Sequence, residues 1–203
     1  MSPNSIIQTP FDLPSLLTEV GRCNACAAHL VDGVRPVLQA DAKARILVAG
    51  QAPGRKVHAS GIPFDDASGE RLRAWMGVSP EVFYDATRVA ILPMGFCYPG
   101  TGKSGDLPPR KECAPLWRTP LLSAMPHIEL MLLIGHYAVA WHLPQCAAAS
   151  LTGTVRDWRR YYPSVLPLPH PSPRNNIWLK ANPWFSEEVV PALQSRVADV
   201  LRS

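Results

Sequence analysis

The sequence predicts an α/β protein, a three-layer α/β/α sandwich around a four-stranded, mainly parallel sheet. Four apolar runs of strand length, residues 45–50, 88–93, 130–135 and 164–169, are spread along the chain, with helical stretches between and after them. Three of these runs end in loops rich in glycine, proline and polar residues, at 50–66, 93–97 and 170–176. In an open parallel sheet, loops at the carboxyl ends of the strands converge on a ligand-binding crevice.

The elements follow in order. Residues 11–21 carry Leu13, Leu16, Leu17 and Val20 at helical spacing, closed by Gly21. Cys23-Asn-Ala-Cys26 comes next, then a connection over 31–44. The first strand, Ile46-Leu-Val-Ala49, runs into Gly50-Gln-Ala-Pro-Gly54. There Gly50 and Gly54 let backbone N–H groups come close to a ligand, and Pro53 stiffens the turn. Gly61-Ile-Pro-Phe-Asp-Asp-Ala-Ser-Gly69 leads into a short helix, 68–76, with Leu72, Trp75 and Met76 facing the core. Cys97 lies just past the second strand. The following Gly102-Lys-Ser104 is not a phosphate-binding P-loop, because Cys97 stands where that pattern needs a glycine. The stretch 98–109 reads instead as a mobile loop, with Lys103 a candidate phosphate contact and Cys113 just beyond. A helix over 136–143 follows the third strand. Arg156, Arg159 and Arg160 are interleaved with Trp158, Tyr161 and Tyr162, a pattern that suits nucleic-acid contact and equally a solvated amphipathic surface. The fourth strand ends in His170-Pro-Ser-Pro-Arg-Asn175. The last helix, 186–201, has Ser186 as its expected cap.

Composition narrows the class. With 203 residues, 47% of them apolar, one domain spanning 1–203 can bury a core without staples. The 22 prolines fall in loop-like stretches, which implies long, stiff loops on a compact scaffold. A net charge of +4 permits a phosphate-bearing partner without requiring one. No apolar run reaches about 18 residues, and the N-terminus lacks a basic-then-apolar cleavage pattern. A soluble, cytoplasmic monomer with no membrane association is expected. Five cysteines is an odd number, and in a reducing compartment clustered thiols read as metal ligands, here Cys23, Cys26, Cys97 and Cys113. On chemistry alone, four thiolates suit a structural zinc as well as an iron–sulfur cluster.

Gly50-Gln-Ala-Pro-Gly54 and His170-Pro-Ser-Pro-Arg-Asn175, in this order and separation, resemble the two signature motifs of the uracil-DNA glycosylase superfamily. Gly61-Ile-Pro-Phe64 with Asp66-Ala-Ser-Gly69 is similar to its families 4 and 5, the second part more to family 5. The second signature motif is more like that of the single-strand-selective monofunctional type. The resemblance covers the chain from about Cys23 to the end of the second motif. It implies a 4Fe-4S cluster on Cys23, Cys26, Cys97 and Cys113, leaving Cys146 unliganded, and DNA containing uracil as the partner.

It also implies roles for the site residues. Removing uracil from deoxyribose builds positive charge on the sugar and negative charge on the base, after the nucleotide has swung out of the stack. Phe64 is the expected stacking floor, and backbone N–H groups around Gly50, Gln51 and Ala52 the expected donors to uracil oxygens. His170 is the expected donor to the developing anion at O2, and Asp66 the carboxylate for the sugar cation or the water. Two positions depart from the pattern. Ala52 replaces the Asp of the first motif, and Pro93 the Asn that reads the uracil edge. Main-chain groups near Pro93 and Met94, or Asn175 or Asn176, are the expected substitutes. Arg174, Lys180 and the 156–160 arginines are candidate phosphate contacts, and Ile177-Trp-Leu179 a candidate wedge or a packed segment. The expected activity is a monofunctional glycosylase, since neither motif holds a lysine for a Schiff base. A non-catalytic or covalently trapping uracil-DNA binding protein, and a purely structural metal-thiolate module, are the alternatives.

Overall fold

The computed structural model describes residues 12–103, 105–146 and 149–202. Among them are six strands: β1 (Ile46–Ala49), β2 (Val89–Ile91), β3 (Thr101–Gly102), β4 (Gly105–Asp106), β5 (Leu130–Ile134) and β6 (Val165–Leu168). The α-helices are α1 (Leu13–Gly21), α2 (Arg55–Ser60), α3 (Ala67–Met76), α4 (Pro80–Phe83), α5 (Cys113–Ser123), α6 (Gly135–His142), α7 (Leu151–Arg156), α8 (Asn176–Ala181) and α9 (Val190–Arg202). Strands β1, β2, β5 and β6 form one parallel sheet in the order β2-β1-β5-β6, the four runs read from the sequence. Pro167 lies in β6, at the edge of this sheet, where its missing N–H is tolerated.

All four residues of β1 are buried because both faces of the sheet are covered. Ile46 and Val48 point into a core shared with Leu72, Trp75 and Met76 of α3 and Leu193 and Val197 of α9. On the other face Leu47 joins Leu13, Leu16 and Val20 of α1 and Leu121 of α5. Ala49 meets Leu133 and the α6 residues Ala138 and Val139. The architecture is therefore the three-layer α/β/α sandwich that the sequence predicts. No helix of the described residues is long and apolar enough to cross a membrane.

Several element ends differ from expectation. The first helix was expected from Phe11, which lies outside the described residues; α1 is capped by Asp12, whose carboxylate accepts from Ser15 N–H at 3.0 Å. Ser186 is not a cap. It sits inside a π-helical turn, Phe185–Val189, that continues into α9. The wide turn keeps both Phe185 and Val189 fully buried, and Phe185 packs edge-on against Trp75 with ring centroids 4.9 Å apart. Core packing here outweighs the capping preference of a serine. The stretch read as a mobile loop holds the β3–β4 antiparallel ribbon, which Gln51 Nε2 ties down by donating to the Leu107 carbonyl at 3.0 Å.

Candidate active site

Loops that follow β1, β2 and β6 meet around a cavity of about 500 Å³. Gly50, Gln51, Ala52, Phe64, Asp66, Pro93, His170, Arg174 and Asn175 all line it. The first two loops are joined through the carbonyls of Gly50 and Gln51, which accept from Met94 N–H at 2.8 Å and Gly95 N–H at 3.0 Å.

Helix α3 organises the site. Asp66 is its N-cap and accepts from Gly69 N–H at 3.0 Å, which satisfies one of the donors a helix start leaves open. Phe64, two residues before that cap, is held at φ 55°, a left-handed conformation uncommon for an aromatic residue. Its carbonyl oxygen lies so close to Gly69 that a Cβ built there would be 1.8 Å away. The same oxygen accepts from the Tyr84 hydroxyl at 3.3 Å, itself bonded to Arg73. The Phe64 ring contacts Phe83 edge-on and reaches over Gly50, 3.5 Å from where a Cβ would lie. From the next turn of α3, Arg71 donates to the Ser172 carbonyl at 3.1 Å and to Asn176 Oδ1 at 2.8 Å. One short helix thus positions both the Phe64 loop and the His170 loop.

His170 is half-buried, and its Nδ1 accepts from Ser172 N–H at 3.1 Å. In the neutral ring the proton is therefore on Nε2. Burial pulls the His170 pKa below the ordinary histidine value, opposed by the charges of Asp66 and Asp106. The residue is a neutral N–H donor at neutral pH, suited to a developing anion.

The groups expected to read the uracil edge are largely engaged elsewhere. Met94 does not line the cavity: its side chain is buried with Ala114 and Leu133, and its N–H is bonded to Gly50. Pro93 does line it, but it has no N–H, and its carbonyl accepts from Arg118 Nη1 at 3.2 Å. Asn175 donates from its amide to the His170 carbonyl at 2.7 Å, holding its own loop. Asn176 Oδ1 is the acceptor for Arg71.

Arg118 itself carried no sequence signal. It is 2% exposed, bonds the Leu92 and Pro93 carbonyls, and donates from Nε to His142 Nε2 at 2.8 Å. Burial lowers its pKa to about 10, and burial together with the Arg118 charge lowers that of His142 to about 4. The unfolded chain, with His142 near 6.5, takes up a proton that the folded chain refuses. Stability contributed by neutral His142 is therefore present above pH 6.5 and lost as pH falls toward 4, by roughly 3 kcal/mol. Urea titrations across this range should show that loss, and His142→Gln, which keeps an acceptor and does not titrate, should remove most of it. Parallel acid sensitivity in both proteins would contradict this assignment.

Of the expected phosphate contacts, only Arg174 lines the cavity. Lys103 is exposed in the turn of the ribbon, and Lys180 is exposed on α8. Arg156 lies over the Trp184 ring, Arg159 over Trp158 while paired with Glu188 at 2.9 Å, and Arg160 is 3.9 Å from Asp157. The wedge segment divides: Ile177 is 82% exposed, whereas Trp178 and Leu179 pack against the core and Trp178 bonds Thr152 at 2.8 Å. Lys56, at the start of α2, and Asp106, in β4, which sequence reasoning missed, also line the cavity; the docking of the β3–β4 ribbon that brings Asp106 there is visible only in the fold.

Cys23, Cys26, Cys97 and Cys113 line a second, apolar cavity together. Burial raises the pKa of Cys26 and Cys97 and pushes Cys113 up to about 12. The Phe96 N–H donates to Cys113 Sγ at 3.4 Å. Among the described residues no three His, Cys, Asp or Glu side chains are arranged to hold a metal ion. What the four thiols share is the lining of this one cavity, with a backbone N–H donated to one of the sulfurs. Cys146 stands apart, its sulfur 2.9 Å from the Tyr161 hydroxyl.

A parallel sheet with a cavity of about 500 Å³ at the carboxyl ends of its strands, lined by His170, Asp66 and Asp106, defines an α/β protein with a ligand-sized cleft at its sheet edge. Residues 38–194 match the Uracil DNA glycosylase superfamily, and the chain belongs to that superfamily. Its members are DNA glycosylases, hydrolases that act on DNA.

Proposed function

We propose that the protein is a monofunctional uracil-DNA glycosylase that hydrolyses the N-glycosidic bond of uracil in DNA. The observation that carries this reading is the meeting of the 50–54 and 170–175 loops in one cavity, with His170 presenting Nε2–H there. The flipped base stacks on Phe64, the first loop supplies backbone donors, and His170 stabilises the charge that develops at O2. Asp66, one oxygen of which caps α3, contributes a carboxylate to the same cavity. In this reading Arg174 and Lys56, which line the cavity, meet the phosphates nearest the flipped base, with the exposed Lys103 and Lys180 further out, and Ile177 takes the space the base leaves.

A 4Fe-4S cluster is part of this proposal, as in families 4 and 5. Cys23, Cys26, Cys97 and Cys113 would hold it, fastening the α1 end to the base of the excursion that carries the ribbon. It would supply structural cross-linking, and no step of the hydrolysis depends on it. The proposed setting is the cytoplasm, as a monomer.

Purified protein is expected to release free uracil from a deoxyuridine oligonucleotide and to leave an abasic strand that breaks only on alkaline treatment. The same preparation should be brown, with iron and sulfide in equal amounts. Strand cleavage without alkali would assign Lys56 a Schiff-base role and end the monofunctional reading. Ala52 and the occupied Pro93 carbonyl favour a second reading, a uracil-DNA binding protein without turnover. A complex that forms, with or without surviving denaturation, while no base is released would support it.

A further inference from the structure

Two carboxylates, not one, share the cavity with His170. Asp66 and Asp106 come to it by unrelated routes. Asp66 starts α3 and spends one oxygen on the Gly69 N–H. Asp106 ends the β3–β4 ribbon, where its backbone pairs with Thr101. The ribbon leans on the first loop: Gln51 holds the Leu107 carbonyl, and Asp106 Oδ2 lies 3.5 Å from where a Cβ on Gly54 would be. On its other side the Arg174 guanidinium packs on Gly105, 2.5 Å from the Cβ that residue lacks. The β4 side of the ribbon thus lies between the two loops that define the site. A carboxylate here has the wrong sign for a phosphate contact, so its place beside the reacting groups calls for a chemical task.

We propose that Asp106 is a catalytic carboxylate that orients and deprotonates the attacking water, in place of the side chain that Ala52 lacks. The inference rests on the glycosylase reading. As the bond between C1′ and N1 breaks, its electron pair passes to uracil, whose O2 charge is met by His170 Nε2–H. Positive charge grows on the sugar, the water oxygen bonds C1′, and the water proton passes to the Asp106 carboxylate. The uracil anion then takes a proton from solvent. The Asp106 carboxylate lies within van der Waals reach of the Gly54 position, 3.5 Å from where a Cβ would be, so the ribbon sets its distance from the first loop.

The test uses the full chain and two oligonucleotides, one with deoxyuridine and one with 2′-fluorodeoxyuridine, which resists cleavage. Asp106→Asn is expected to slow single-turnover uracil release by roughly a hundredfold, with affinity for the fluorinated DNA held within about threefold. Asp106→Glu should recover part of the rate. An Asp106→Asn rate within about threefold of the parent protein overturns the inference. So does a loss of affinity as large as the loss of rate, which would make the ribbon a DNA-holding element. A parent protein that releases no uracil overturns the glycosylase reading and the inference together, a result distinct from equal activity in both proteins.

Discussion

Replacing His170 by alanine is expected to lower single-turnover uracil release by roughly a hundredfold or more while leaving the melting temperature nearly unchanged. The departing base carries its charge chiefly at O2, and a fixed donor aimed at that charge is worth more in a site the bound base partly shields from water than in water itself. His170 meets the requirement through two local facts. Its Nδ1 is occupied by the Ser172 N–H, which puts the neutral ring's proton on Nε2. Burial lowers its pKa against the pull of Asp66 and Asp106, so the donor is neutral. Alanine removes the donor and leaves the Ser172 N–H in a half-exposed loop where water replaces the lost acceptor. The loop itself remains held by Arg71 on Ser172 and Asn176 and by the Asn175 amide on the His170 carbonyl. A rate within about threefold of the parent would remove His170 from the catalytic group.

Gly69→Ala should be the most damaging of the single-methyl changes around the site. The added Cβ would sit 1.8 Å from the Phe64 carbonyl oxygen and 2.8 Å from its carbonyl carbon, contacts with backbone that no side-chain rotation relieves. Either the start of α3 shifts, breaking the Asp66 cap, or Phe64 leaves its left-handed conformation and takes its ring away from Gly50. Both routes affect stability and site together: a loss of roughly 2–4 kcal/mol in urea titration, and a loss of uracil release larger than partial unfolding explains. Gly21→Ala is the control, because a Cβ at Gly21 meets nothing within 4 Å. Equal behaviour of the two variants would show that α3 and the Phe64 loop are not in the close contact described.

The scaffold of this protein was legible residue by residue where burial writes a local pattern. Strands covered on both faces read as unbroken apolar runs, so β1, β2, β5 and β6 were placed from sequence. So were the inward positions Leu72, Trp75 and Met76. The two loops around Gly50 and His170 were legible because glycine, proline and histidine at strand ends carry chemistry in their spacing; the nearness of Cys23, Cys26, Cys97 and Cys113 shows only as a shared cavity lining. Ser186 misled, since a capping preference of about 1 kcal/mol is smaller than the burial of Phe185 beside it. Met94 and Asn175 show another limit: sequence located their backbones near the cleft but not the bonds by which the Met94 N–H meets Gly50 and the Asn175 amide holds the His170 carbonyl.

By itself, then, the sequence determined the layers, the strands and the two loops that make the cleft. The tertiary structure alone decided that the Asp66 carboxylate is shared with a helix cap, that Arg118 holds the Pro93 carbonyl from the buried side, and that Asp106 lines the same cavity as His170. The physical reason is separation along the chain. Periodicity and capping act over a few residues, whereas Asp106 against Gly54, Arg71 against Ser172 and Arg118 against Pro93 are contacts between distant segments. Nothing in either partner's local sequence marks such contacts until the sheet order brings the loops together.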